Sequence, residues 1–130
     1  MDAPTATPEI AFSVEGDFVP MPQAKPNRHG ELRIPSDHPV HEQRKRIRQA
    51  ARDAGAMPVP DEVMEVECVI YGNAAGGKAA PVIGAVMDAL EGVAFKEAWQ
   101  VGRIVTSWQL REQGKAPHFT VLVKRSKKHD

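Results

Sequence analysis

Apolar and polar residues alternate with a period of two in four stretches of the chain, and recur with helical spacing in two others. Ile10, Phe12 and Val14 face one way and Ala11 and Ser13 the other, which predicts a first strand over residues 10–14, ended by Glu15-Gly16-Asp17. Residues 63–71 alternate more cleanly: Met64, Val66, Cys68 and Ile70 oppose Glu65 and Glu67, as in a strand buried on one face. Residues 101–110 and 118–125 predict two more strands, and the turn-like stretch 112–117 between them suggests a hairpin. Val40, Ile47, Ala50, Ala51 and Ala54 form an apolar stripe that predicts a helix over residues 39–54. Ser36 or Asp37 would cap it, Pro39 suits its first turn, and Gly55 ends it. Its Arg44, Lys45, Arg48 and Arg52 fall largely outward. A second helix is expected over residues 81–91, closed by Gly92, with Val82, Ile83, Val86, Met87 and Leu90 as core candidates. Residues 18–35 carry prolines at positions 20, 22, 26 and 35, which exclude helix and leave an extended or edge arm holding Lys25, Arg28 and Arg33.

Two helices among about four strands predict an α+β fold, a small mixed sheet with both helices packed on it. At 130 residues one domain over residues 10–125 suffices, flanked by a tail at 1–9 and a basic tail at 126–130. No run approaches the roughly 18 apolar residues of a membrane span. Residues 1–9 lack the basic start and apolar core of an export signal, so a cytoplasmic protein is expected. The lone Cys68 cannot form an internal disulfide and reads as a small buried hydrophobe.

Seventeen basic residues balance seventeen acidic ones, yet they are unevenly placed. Residues 25–52 hold 8 basic and 3 acidic side chains, a net +5; residues 53–97 hold 2 and 8, a net −6. Residues 111–130, with 6 and 2, return to +4. A basic surface beside an acidic one is an electrostatic footprint for a polyanion, or else two solvated faces. The DNA-contact candidates are Lys25, Arg28, Arg33, Arg44, Lys45 and Arg48, whose alternative is a surface for a protein partner. Trp108 belongs with Ile104, Thr106 and Leu110 in the core pattern, whereas Trp99 could stack on a base or anchor an interface.

Enzymatic signatures are weak. Gly72 to Lys78 looks like a phosphate loop, but Ala79 follows where a hydroxyl residue would hold magnesium. Cys68 has no placed base, and among His29, His38, His41, His118 and His129 only His38 and His41, three apart near a helix start, show any ligand spacing, so no zinc is expected.

The order of features carries more than any one motif. A first strand, the Pro-punctuated arm from Val19-Pro20-Met21-Pro22 to Arg33-Ile34-Pro35, a basic helix, an alternating strand, then Asp88-Ala89-Leu90 with Gly92, and Gln100-Val101 together resemble the RusA family of Holliday junction resolvases over residues 10–125. The resemblance implies a small homodimer that binds four-way DNA junctions in recombination and repair, and cuts with magnesium held by aspartates. Laid on this chain, however, the family's metal-binding aspartates fall on Lys78 and Ala80, its asparagine on Pro81, its helix lysine on Gly84 and its later catalytic acid on Ala98. Magnesium hydrolysis needs several carboxylates converging on one cation. From Cys68 to Met87 there is no Asp or Glu, leaving Asp88 and Glu97 as vestigial acids. The expectation is therefore a catalytically inactive RusA-like protein that binds DNA, branched or Holliday-junction DNA included, without cleaving it and without a cofactor. The alternatives are a phage or mobile-element adaptor or inhibitor that binds a host protein, and an active magnesium endonuclease with a relocated site at Asp88 and Glu97.

Overall fold

A computed structural model of the chain describes residues 9–72, 79–109 and 114–126. The loop 73–78 with its Lys78, residues 110–113, and most of both tails, 1–8 and 127–130, lie outside the described residues. Among the described residues, six strands and two helices follow in the order β1 (Ile10–Glu15), β2 (Lys25–Pro26), β3 (Leu32–Arg33), α1 (Pro39–Asp53), β4 (Met64–Tyr71), α2 (Ala79–Leu90), β5 (Val101–Gln109) and β6 (His118–Arg125). A short 3-10 turn, Ala98–Gln100, leads into β5.

The main sheet has the order β1-β6-β4-β5. β6 runs antiparallel to both β1 and β4, while β5 runs parallel to β4 on its other side. The sheet is mixed and four-stranded with two helices, the α+β arrangement that the periodicities predict. The expected β5–β6 hairpin, in contrast, does not form. α2 buries Val82, Ala85, Val86, Ala89 and Leu90, and its crossover returns the chain parallel to β4 rather than antiparallel. The interior slot goes to β6, whose Phe119, Val121 and Val123 are almost wholly buried. β5, with no fully buried residue, takes the edge.

The core lies between the helices and one sheet face. Val66, Cys68 and Ile70 of β4 join Ile10 and Val14 of β1, Ile47 and Ala51 of α1, and Phe95. Phe18 meets Phe119 edge to face, ring centres 4.9 Å apart. The expected core residue Trp108 is half-buried and packs against this cluster from the edge, and Ile83 is half-buried rather than core.

Helix α1 begins with Pro39 in its first turn, but its cap is His38, not Ser36 or Asp37. The His38 Nδ1 accepts the Val40 N–H at 3.1 Å. Gly55 (φ +96°) and Gly92 (φ +83°) follow the helices in the left-handed region, where a side chain would be strained. No helix among the described residues is long and apolar enough to cross a membrane.

Candidate nucleic-acid interface

The Pro-rich arm leaves β1, docks on both helices and then projects. Buried Gln43 of α1 accepts the Val19 N–H at 2.7 Å and donates to the Val19 carbonyl at 2.8 Å. Two residues on, the Met21 N–H reaches the Pro81 carbonyl at 2.9 Å. Beyond these attachments β2 and β3 form an exposed two-stranded ribbon, which the sequence pattern did not predict because each strand is two residues long.

Asn27 organises its tip. The Asn27 Oδ1 accepts the N–H groups of His29 (2.8 Å) and Glu31 (3.0 Å), and its backbone closes the turn to Glu31 and Gly30. Lys25 and Arg33 are thereby placed directly opposite each other. Like charges at such a cross-strand position repel. Glu31 offsets one of them, with an oxygen 3.3 Å from Arg33 and both groups largely exposed. Lys25 and Arg28 have no ion-pair partner among the described residues, and Leu32 beside them is 70% exposed.

On α1 the candidate cations divide. Lys45 is exposed and unpaired among the described residues, and Arg44 meets Asp88 at 3.1 Å, both about half exposed. Arg48, expected outward, turns inward instead. It donates to the carbonyls of Ala89 (3.1 Å) and Glu91 (2.9 Å), satisfying the C-terminal end of α2, where a cation suits the helix dipole. Desolvation and the neighbouring Arg44 and Arg52 guanidiniums weaken its hold on its proton, while Asp88 strengthens it. The three expected α1 contacts are thus one free lysine, one arginine in a surface pair and one arginine bonded to the fold.

The acidic candidates Asp88 and Glu97 have partners too. Asp88 holds Arg44, and Glu97 accepts the Trp99 indole N–H at 2.6 Å. Among the described residues no group of three or more His, Cys, Asp or Glu side chains could hold a metal ion. Ala80 and Ala98 are exposed, and Gly84 lies under Met21, whose Cβ is 3.5 Å from where a Cβ would stand. Cys68 is buried and its thiol pKa is pushed up to about 12 by desolvation, so it is a poor nucleophile at neutral pH.

Gln100 has a role that its motif alone did not disclose. It is 1% exposed, and its Oε1 accepts the N–H groups of Lys96 (2.9 Å) and Glu97 (2.8 Å). Its Nε2 donates to the carbonyls of Val59 (2.7 Å) and Glu62 (3.0 Å). One amide thus ties the loop before β4 to the segment before β5. Trp99, held beside it, is 63% exposed, and the tied loop presents Met57 (66%) and Val63 (49%).

On the sheet face away from the helices, a shallow groove of about 220 Å³ is lined by Glu65, Glu67, Arg103, Val105, Leu122 and Lys124. Arg103 spans it to Glu65 at 3.8 Å, so its charges are mixed and favour neither sign of ligand. No family model matches this chain, and no curated protein matches its sequence.

Proposed function

We propose that this is a DNA-binding protein on a RusA-like frame that does not cut, gripping duplex or branched DNA with the β2–β3 ribbon and the exposed side of α1. One observation carries the reading: Lys25 and Arg33 face each other across an exposed ribbon with Arg28 at its turn. That arrangement costs free energy in the isolated protein and is relieved by a polyanion. A two-stranded ribbon fits the major groove, and the exposed Leu32 supplies an apolar contact there. Lys45 and Arg44 of α1 extend the phosphate contacts.

The test is salt-titrated binding to four-way, duplex and single-stranded DNA, with magnesium or manganese added to look for cleavage. Affinity is expected to fall steeply with salt and no strand to be cut. Lys25→Ala with Arg33→Ala should lower the slope of log K against log salt by about 2, at about 1 per lost phosphate contact. No shift at low salt would refute the reading. Cutting abolished by Asp88→Asn would replace it with the metal-dependent nuclease.

Exposed Trp99, Met57 and Val63 favour a second reading, a surface for a host protein. Capture of one stoichiometric protein, unaffected by nuclease and lost in Trp99→Ala, would establish it.

A further inference from the structure

The basic arm leaves the main sheet at one end, after Glu15, which lies level with His118, Tyr71 and Gln109. Trp99 and the loop before β4 lie at the other end, level with Met64, Val101 and Arg125. The run from Met64 to Tyr71 separates the two ends by about 23 Å, at about 3.3 Å per residue. A ligand at one end therefore leaves the other open.

Trp99 is both fixed and exposed. Its indole N–H is bonded to Glu97 at 2.6 Å, the Ala98 N–H before it to a Glu91 carboxylate oxygen at 3.0 Å, and Gln100 after it is buried with both ends of its amide bonded. A side chain held this way surrenders little rotamer freedom on binding. Val63 packs over Gly102 just beyond, its Cγ1 2.9 Å from where a Cβ would stand, so two exposed apolar groups share this end with Met57 on the same tied loop. Acids surround them. Asp61, Glu91 and Glu97 are exposed and carry no ion pair among the described residues, whereas Glu62 is matched by Arg125 at 3.5 Å and Glu65 by Arg103 at 3.8 Å. Lys96 is the one unpaired cation in residues 56–65 and 91–103, so the end keeps a negative excess.

We infer that this end is a docking surface for a cationic peptide segment of another protein, one that carries an arginine or lysine beside an aliphatic anchor. The cation lies on the Trp99 ring, where the indole face and the Glu97 and Glu91 carboxylates all attract it. The aliphatic side chain covers Val63 and Met57. The inference rests on the reading of Trp99 as a protein surface and adds the chemistry of the partner. The acids decide among occupants: they repel the phosphates of DNA, and a second copy set face to face would bring Asp61, Glu91 and Glu97 against their own kind. Because the basic arm stands at the far end of the sheet, such a partner and DNA can be held together.

NMR titration of the full chain, without DNA, tests it with three short peptides: alternating leucine and arginine, and the same peptide with glutamate or with serine for arginine. The arginine peptide should move the Trp99 indole resonance and the amides of residues 57–63 and 96–99, and bind more weakly as salt rises. Trp99→Ala should weaken it on the order of tenfold. Glu97→Gln, which can still accept the indole N–H, should weaken it about two- to fivefold through charge alone. If the serine or glutamate peptide binds at Trp99 as tightly, the protein surface stands and its cationic partner is overturned. If no peptide moves the Trp99 indole at millimolar concentration, both are overturned. An indole resonance that moves with protein concentration alone would assign the patch to a second copy and overturn the inference as well.

Discussion

Replacing Gln100 by leucine removes four hydrogen bonds while nearly preserving side-chain volume. The Lys96 and Glu97 N–H groups and the Val59 and Glu62 carbonyls lose their partner together. A buried polar group left unsatisfied costs about 1–3 kcal/mol. Water can reach some of the four groups, since Lys96 and Glu97 lie in an exposed segment, and the leucine recovers about 1–2 kcal/mol of apolar burial. The expected net loss is about 3–5 kcal/mol, a large share of the stability of a domain this size. Urea denaturation should show it as a lower midpoint with an unchanged slope, and thermal melting as a fall of roughly 10–20 °C. Gln100→Glu sharpens the test. Ionised, it still accepts the two N–H groups but turns a charge on two carbonyl oxygens; protonated, it can donate to one of them. Its folded pKa is therefore raised, and its deficit against the parent should shrink as pH falls through that pKa. A Gln100→Leu loss below about 1 kcal/mol would refute the view of this amide as a buried tie.

Other consequences are nearer to hand. His38→Ala should cost about 1 kcal/mol in urea denaturation by removing the α1 cap, whereas His38→Asn, which presents a better cap, should cost nothing or add stability. Cys68 should react with a thiol reagent at the rate of unfolding, and a fast reaction at neutral pH would contradict its burial. Because its thiol pKa is raised from 9.0 to about 12, the folded chain holds that proton more tightly than the unfolded one, so stability is lost as pH rises through that window. In Cys68→Ala that alkaline loss should be smaller.

Elements were legible where a single period ran through them. β4 and β6 declare themselves by alternation, and α1 by its stripe and its following glycine. Pairing was not legible, because a period of two marks a strand without naming its neighbour; β6 won the interior through Phe119, Val121 and Val123, a comparison among strands rather than within one. The His38 cap escaped because an imidazole caps only when its ring is turned correctly, while serine and aspartate cap by composition. Helical spacing places Arg48 outward because it takes no account of α2 ending beside it. Gln43 could have been found: it falls between Val40 and Ile47 on the buried stripe, and a lone amide there signals a backbone partner. In the ribbon, Lys25 and Arg33 lie eight residues apart, so their opposition needed the Asn27 turn to become visible.

The two attachments at the base of the arm bear on the thermodynamics of whatever the ribbon meets. With Val19 held at both its backbone groups by Gln43, and Met21 held by Pro81, Pro20 acts as a strut between two fixed points rather than a tether, and Pro22 stiffens the step just beyond them. A segment already immobilised surrenders little freedom when it docks. The ribbon should therefore engage its ligand with little ordering of the arm, and loosening that strut by Gln43→Ala should weaken binding at a site none of whose contacting groups has been altered.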